Sequence, residues 1–255
     1  MYISLLQTDI EWENKQANLL KLNNQLESLK GKSNLAVIPE MFTTGFSMNC
    51  HELAEDNNDN TVATLCELSH KYDIALTGSF IGTENDRFYN RGFFITPNGN
   101  KFFYDKHHLF RMGEETKFFS AGDNHLIVRY WGFNIALLIC YDLRFPVWSR
   151  NVENGYDLLI YVANWPASRR SVWDTLLRAR ALENMSYVCG VNRIGIDGNG
   201  MKYNGGSILI SPKGNTIASI TDDKEDTITS EIDTDSLQAF RNKFPVWKDA
   251  DKFSL

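Results

Sequence analysis

The sequence predicts a mixed α/β layered domain, and three observations carry that prediction. Short apolar runs alternate with amphipathic helical segments along the whole chain. Turn signals join neighbouring strand segments into hairpins at three places. No linker rich in Pro, Gly or Ser, no low-complexity tract and no internal repeat divides the 255 residues, so one large domain is expected rather than two small ones.

Residues 2–9 read as the first strand, and 15–30 as a helix with Leu19, Leu22, Leu26 and Leu29 on one face. Strand 35–38 follows, then a loop rich in Asn and Asp, helix 60–72 and strand 74–80. Segments 89–96 and 101–106 flank the turn Pro97-Asn98-Gly99-Asn100, and 126–131 and 133–139 meet at Trp131-Gly132. A helix is expected over 144–153, then strand 157–163, helix 171–184 and strand 187–193. Segments 203–210 and 215–220 flank Ser211-Pro212-Lys213-Gly214. Strand 227–232 precedes a C-terminal tail, 235–255, that reads as extended. The body of the domain is therefore expected over 1–234, with the tail packing on it or on a partner.

Composition narrows the function. A hydrophobic fraction of 43%, with 13% aromatic residues, is ample for a sizeable core. Twenty-six basic against 32 acidic residues give a net charge of −6 with no basic run, which argues against a nucleic-acid partner. No apolar stretch approaches the roughly 20 residues of a membrane helix. Met1–Gln7 lacks the basic start and cleavage site of a signal peptide. The four cysteines, Cys50, Cys66, Cys140 and Cys189, have neither C-x-x-C nor zinc spacing, and no His/Asp/Glu cluster has metal-ligand spacing. A cytoplasmic enzyme without metal or cofactor is the expectation.

Cys140 is the most informative residue. It follows the apolar run Phe133–Ile139 and precedes Tyr141-Asp142-Leu143-Arg144-Phe145-Pro146, a strand running into what reads as a helix start. A thiol at such a junction meets backbone N–H groups and a helix dipole that favours the thiolate. On this segment alone, a buried packing cysteine is an equal reading. Cys66 and Cys189 read as core, and Cys50, in a polar loop beside His51, is the rival nucleophile. Two more chemically apt residues end apolar segments: Glu40 after Leu35-Ala36-Val37-Ile38-Pro39, and Lys106 after Phe102-Phe103-Tyr104-Asp105. Strand ends are where layered α/β proteins assemble sites.

Together, Glu40, Lys106 and Cys140 resemble the Glu-Lys-Cys triad of the nitrilase superfamily, the carbon–nitrogen hydrolases. The resemblance runs from about Leu5 to Trp247, through Leu6-Gln7-Thr8-Asp9 with Trp12 and Asn18-Leu19, Pro39–Phe46, Lys106–Met112, Cys140–Pro146, Tyr161–Pro166 and Arg178–Asn184. Within it, His-Leu-Phe-Arg-Met, Cys-Tyr-Asp-Leu-Arg-Phe-Pro-Val-Trp-Ser-Arg and Val-Ala-Asn-Trp-Pro resemble the bacterial omega-amidase branch. The resemblance implies a four-layer αββα sandwich, a homodimer or higher homo-oligomer joined through the nucleophile-side helices, and hydrolysis of a small amide by water. In that scheme Cys140 forms a thioester, Glu40 moves protons, and Lys106 with the Tyr141 N–H stabilises the oxyanion. A second glutamate orients the lysine: Glu114 and Glu115 both qualify, and the offset after His-Leu-Phe-Arg-Met selects Glu115. Phe46, Arg144 and Trp165 are placed in the substrate pocket. Asp142 and Arg144 are expected to pair and hold the turn.

The implied substrate, 2-oxoglutaramate, has a carboxylate opposite its amide, and Arg111, Arg169, Arg170 and Arg193 are all open as its anchor. Rival readings are another carbon–nitrogen hydrolase activity, a non-catalytic αββα interaction protein, and a metal-dependent phosphodiesterase on another four-layer sandwich. The last needs clustered metal ligands, and no histidine falls after His125.

Overall fold

The computed structural model describes residues 1–251; residues 252–255 of the expected tail lie outside the described residues. Fourteen strands and six α-helices are described. They are β1 (Tyr2–Gln7), α1 (Lys15–Leu29), β2 (Leu35–Val37), α2 (Cys50–Leu53), α3 (Asn60–Tyr72), β3 (Ala75–Glu84), β4 (Arg87–Ile95) and β5 (Lys101–Asp105). Then come α4 (Glu115–Phe118), β6 (Ile127–Tyr130), β7 (Phe133–Ile139), β8 (Leu158–Ala163), α5 (Arg170–Asn184) and β9 (Tyr187–Asn192). Last are β10 (Ile194–Ile196), β11 (Lys202–Asn204), β12 (Ile208–Ile210), β13 (Thr216–Ser219), β14 (Asp226–Glu231) and α6 (Thr234–Lys243).

Two six-stranded sheets form, in the orders β14-β1-β2-β3-β4-β5 and β13-β12-β9-β8-β7-β6, with β10–β11 a separate hairpin. Strands β1, β2 and β3 run parallel in the first sheet, and β7, β8 and β9 in the second. The period-2 alternation of strands assigns each side chain to a layer. Ile3, Leu5, Leu35 and Val37 of the first sheet share one core with Leu137, Ile139 and Ile160 of the second. The alternate residues Leu6, Ala36 and Ile38 pack instead against Leu19, Leu22 and Leu26 of α1 and Val62 and Leu65 of α3. On the far side, Trp173, Leu177 and Ala181 of α5 and Leu237 of α6 join the core of the second sheet. This is the αββα sandwich expected of the sequence, in a single domain.

Three sequence expectations are corrected. No α-helix forms over 144–153: there are 3-10 turns at Cys140–Arg144 and Val152–Asn154 with irregular chain between. Pro146 removes a backbone donor and restricts Phe145, which is extended at φ −113°, ψ 94°. The strand expected over 203–210 is split, because Gly205 and Gly206 both take positive φ and separate β11 from β12. The tail is not extended throughout. Asp233 caps α6 by accepting hydrogen bonds from the N–H groups of Asp235 and Ser236, and Leu237 and Arg241 share its inner face. Arg241 reaches the buried Asp157 at 2.7 Å, so α6 is fixed to its own chain.

Candidate active site

The site lies where strands of both sheets end. Glu40 is the third residue after β2, Lys106 directly follows β5, Cys140 directly follows β7 and Asn164 directly follows β8. Glu115 opens the one-turn helix α4. The structure brings Glu40, Lys106, Glu115 and Cys140 together. The first three are wholly buried, and Cys140 is 8% exposed.

Lys106 is the hub. Its ammonium donates to Glu40 Oε1 at 2.9 Å and to both oxygens of Glu115, at 3.0 and 2.9 Å. Burial alone would pull the ammonium down, but Glu115, and after it Glu40, more than reverse this, so Lys106 titrates above its ordinary range. Glu115 is pushed up by burial and by Glu40, against the pull of Lys106 and a donated bond from the Phe110 N–H. Glu114 faces solvent instead, paired with Lys117.

Sequence reasoning missed Asn90. Its amide nitrogen donates to Glu40 Oε1 at 2.7 Å and Glu115 Oε1 at 3.0 Å, while its oxygen accepts from Ser79. No local signal marked it, since Asn90 stands between Tyr89 and Arg91 in a strand. Asn164 was named only as part of a motif. Its backbone N–H donates to Glu40 Oε2 at 2.7 Å and its side-chain amide to the Glu40 carbonyl at 2.7 Å. Both Glu40 oxygens are therefore aimed by fixed donors.

Cys140 occupies the left-handed region at φ 45°, a strained backbone worth about 1–3 kcal/mol for a residue with a side chain. Asp142 compensates. Its Oδ2 accepts from the Ile139 N–H at 3.0 Å and the Tyr104 hydroxyl at 2.7 Å; its Oδ1 accepts from the His108 N–H at 2.9 Å. His108 Nδ1 also lies 2.9 Å from that oxygen, and His107 stacks on Trp148, so both histidines brace the turn. The expected Asp142–Arg144 pair does not form: Arg144 lies over the Trp165 ring, 5.3 Å from its centroid. Nor is the thiolate favoured. Burial, then Glu40, push the Cys140 thiol well above its usual range, with Lys106 only partly opposing. The turn after Cys140 is a five-residue 3-10 helix, too short to supply a strong dipole. Cys50, read as a loop residue, is buried in α2, and burial raises its thiol too.

Cys140 opens into a cavity of about 300 Å³. Phe46, Tyr141, Arg144 and Trp165 line it, as does Arg169, whose guanidinium lies 5.1 Å from the Phe110 ring centroid. Of the arginines weighed as anchors, Arg170 pairs with Asp174 and Asp222, and buried Arg193 reaches Asp9 at 3.2 Å. Arg111 does not line the cavity. Among the described residues, the guanidiniums of Arg144 and Arg169 have no hydrogen-bonding or ion-pair partner.

A sandwich of two sheets with a cysteine beside a buried Glu-Lys-Glu cluster is the architecture of a carbon–nitrogen hydrolase. The sequence matches the family described as Carbon-nitrogen hydrolase over residues 2–242, and the chain belongs to that family. It is an enzyme that hydrolyses carbon–nitrogen bonds. It is 44% identical over 255 residues to the omega-amidase YafV of Escherichia coli K12, covering 99% of this chain and 98% of that protein. It is 31% identical to the 2-oxoglutaramate amidase of Bacillus subtilis 168, covering 98% and 97%. The crystal structure of XC1258 from Xanthomonas campestris, a CN-hydrolase superfamily protein with an arsenic adduct in the active site, superposes with a TM-score of 0.97. The two are 39% identical, covering 100% of this chain and 98% of that one. Among the described residues no helix is long and apolar enough to cross a membrane.

Proposed function

We propose that this protein is an omega-amidase that hydrolyses 2-oxoglutaramate to 2-oxoglutarate and ammonia through a thioester on Cys140. The observation that carries the reading is the cavity itself: one thiol beside a buried proton-transfer cluster, and two unpaired guanidiniums at the same opening. A guanidinium without an acceptor is a ready fork for a carboxylate. The similarity to an omega-amidase and a 2-oxoglutaramate amidase supports the same substrate class.

The chemistry follows from the protonation pattern. The Cys140 thiol is neutral at pH 7, since a thiolate would add a second surplus negative charge beside two carboxylates and one ammonium. Glu40 therefore takes the proton as sulfur attacks the amide carbon. The oxyanion that develops on the amide oxygen is held by the Lys106 ammonium and the Tyr141 N–H. Collapse breaks the C–N bond, and Glu40 returns the proton to the departing ammonia. Water then attacks the thioester, again losing its proton to Glu40, and the carboxylic acid leaves with the thiol restored. Glu115 and Asn90 take no proton; they hold Lys106 and Glu40 in register. The homodimer or higher homo-oligomer expected from the resemblance belongs to the same proposal and is read by light scattering.

The test is ammonia release from 2-oxoglutaramate, succinamate, L-glutamine and an N-carbamoyl amino acid, with Cys140→Ala as the blank. Preference for the oxo-amide over glutamine supports the proposal. Release only from the carbamoyl compound moves the substrate and keeps the chemistry.

A further inference from the structure

One residue of the N-terminal motif has no part in that chemistry and does not line the cavity: Trp12. Its position joins two cavity walls that are far apart in sequence. Phe46 and Met48 line one wall, and Asp197, Asn199 and Met201, at the tip of the β10–β11 hairpin, line the other. The edge of the Trp12 ring is packed on Gly45, where a Cβ would lie 3.0 Å from Trp12 Cε3. Its pyrrole side is packed on Gly198, where a Cβ would overlap Nε1. The indole is thus a spacer between the backbones of residues 45 and 198.

The turn that carries Trp12 is tied to both walls independently. The Glu13 N–H donates to the Thr44 carbonyl at 2.8 Å, and Ser47 donates to the Glu13 carboxylate at 2.5 Å. On the hairpin side, Arg193 donates to Asp9 and to the Ile10 carbonyl, and the Ile194 N–H donates to the Thr8 carbonyl at 3.1 Å. The hairpin tip is also internally rigid, because Asp197 accepts from the N–H groups of Asn199 and Met201 and from the Tyr203 hydroxyl. Tip and loop are therefore each held internally, and the indole fills the space between them.

We infer that Trp12 is a positioning residue that sets the aperture of the active-site cavity, and so selects small amides over bulky ones. This rests on the amidase reading of the cavity, but its test does not need the substrate to be known. The wild type, Trp12→Phe, Trp12→Ala and Gly198→Ala are each alkylated with iodoacetamide and with the bulkier N-phenylmaleimide, and the Cys140 peptide is quantified by mass spectrometry. Removing indole volume is expected to raise the bulky-to-small rate ratio at Cys140 by roughly 10-fold in Trp12→Ala and less in Trp12→Phe, inside the roughly 10²-fold by which a 1 Å misplacement can change a rate. With the best amide of the panel, KM rises while kcat stays within about 2-fold. Gly198→Ala forces the tip away from the indole and also raises the ratio. Combining it with Trp12→Ala gives the methyl room, so the double variant shows no more than the Trp12→Ala change.

An unchanged reagent ratio in Trp12→Phe, Trp12→Ala and Gly198→Ala would overturn the inference. So would strictly multiplicative effects in the double variant, or a fall in kcat that is equal for every amide with KM unmoved. If Trp12→Ala does not fold, Trp12→Phe and Gly198→Ala carry the test. A shifted reagent ratio in a protein that releases no ammonia from any amide sinks the proposed function and leaves the aperture standing.

Discussion

In the buried cluster beside Cys140, the floor of the site, Glu40, Lys106 and Glu115 are wholly buried and tied to one another, with Asn90 and Asn164 aiming the Glu40 oxygens. At the mouth, the guanidiniums of Arg144 and Arg169 lie over aromatic rings and hydrogen-bond to nothing among the described residues. The charges of the floor are all paired and those of the mouth are not. A buried network of paired charges is rigid, because losing any partner leaves a charge uncompensated in a poor solvent. An unsaturated cation at an opening is inexpensive to keep in water and gains when a ligand supplies the missing acceptor. Under the proposed function, the comparison assigns reaction and selection to separate groups, so kcat and KM should separate under mutation.

The largest effect tests whether the floor has one nucleophile. Cys140→Ala is expected to lose about 10⁴-fold or more in kcat with the melting temperature held, as measured by ammonia release and thermal unfolding. Full activity in that variant would transfer suspicion to Cys50. Next comes Lys106→Met, which removes the proposed oxyanion donor. Here kcat should fall about 10²–10³-fold, with KM changing much less; near wild-type turnover would remove Lys106 from the oxyanion role.

The mouth answers differently. Arg169→Gln and Arg144→Gln are each expected to raise KM for a carboxylate-bearing amide by roughly 10- to 100-fold, the value of a charge-assisted hydrogen bond, with kcat nearly kept. An equal loss on propionamide, which has no carboxylate, would break the division between floor and mouth. Comparable in free energy, but read on stability, is the effect of Asn90→Ala, which leaves its carboxylate and hydroxyl partners short of a hydrogen bond and should cost about 1–3 kcal/mol in denaturant unfolding.

The subtlest test is a titration. Because burial and Glu40 raise the Cys140 thiol, thiolate absorbance at 240 nm, taken as wild type minus Cys140→Ala, should stay flat through neutrality. It should rise only above the ordinary cysteine value of 9.0. The sign is fixed by the direction of the shift: a raised pKa moves the appearance of thiolate to higher pH. A midpoint below 7 would mean a preformed thiolate and no need for Glu40 in the attack.

What could be read from the chain was what repeats locally. Glu40, Lys106 and Cys140 each end an apolar run, so periodicity put them at strand ends, and resemblance chose Glu115 over Glu114. Asn90 was invisible because an amide in a strand looks the same whether it faces water or a buried lysine. The partnership of Asp142 with Tyr104 and His108 spans 38 and 34 residues, beyond any local pattern. Proximity in sequence suggested Arg144 as its partner instead. The helix expected over 144–153 failed at Pro146, which was read as part of a helix start and instead keeps Phe145 extended. Helix α6 was missed because few of its residues are apolar; its anchoring to Asp157 through Arg241 is a tertiary contact. The free arginines emerged only by elimination in three dimensions, once Arg170 and Arg193 were seen to be paired.

The most direct test of the account is to quench the enzyme during turnover of 2-oxoglutaramate and map acyl adducts on all four cysteine peptides by mass spectrometry. The account predicts a 2-oxoglutaryl thioester on Cys140 alone, formed with ammonia release and absent from Cys140→Ala. Steady ammonia release with no adduct on Cys140, or with the adduct on Cys50, would contradict it.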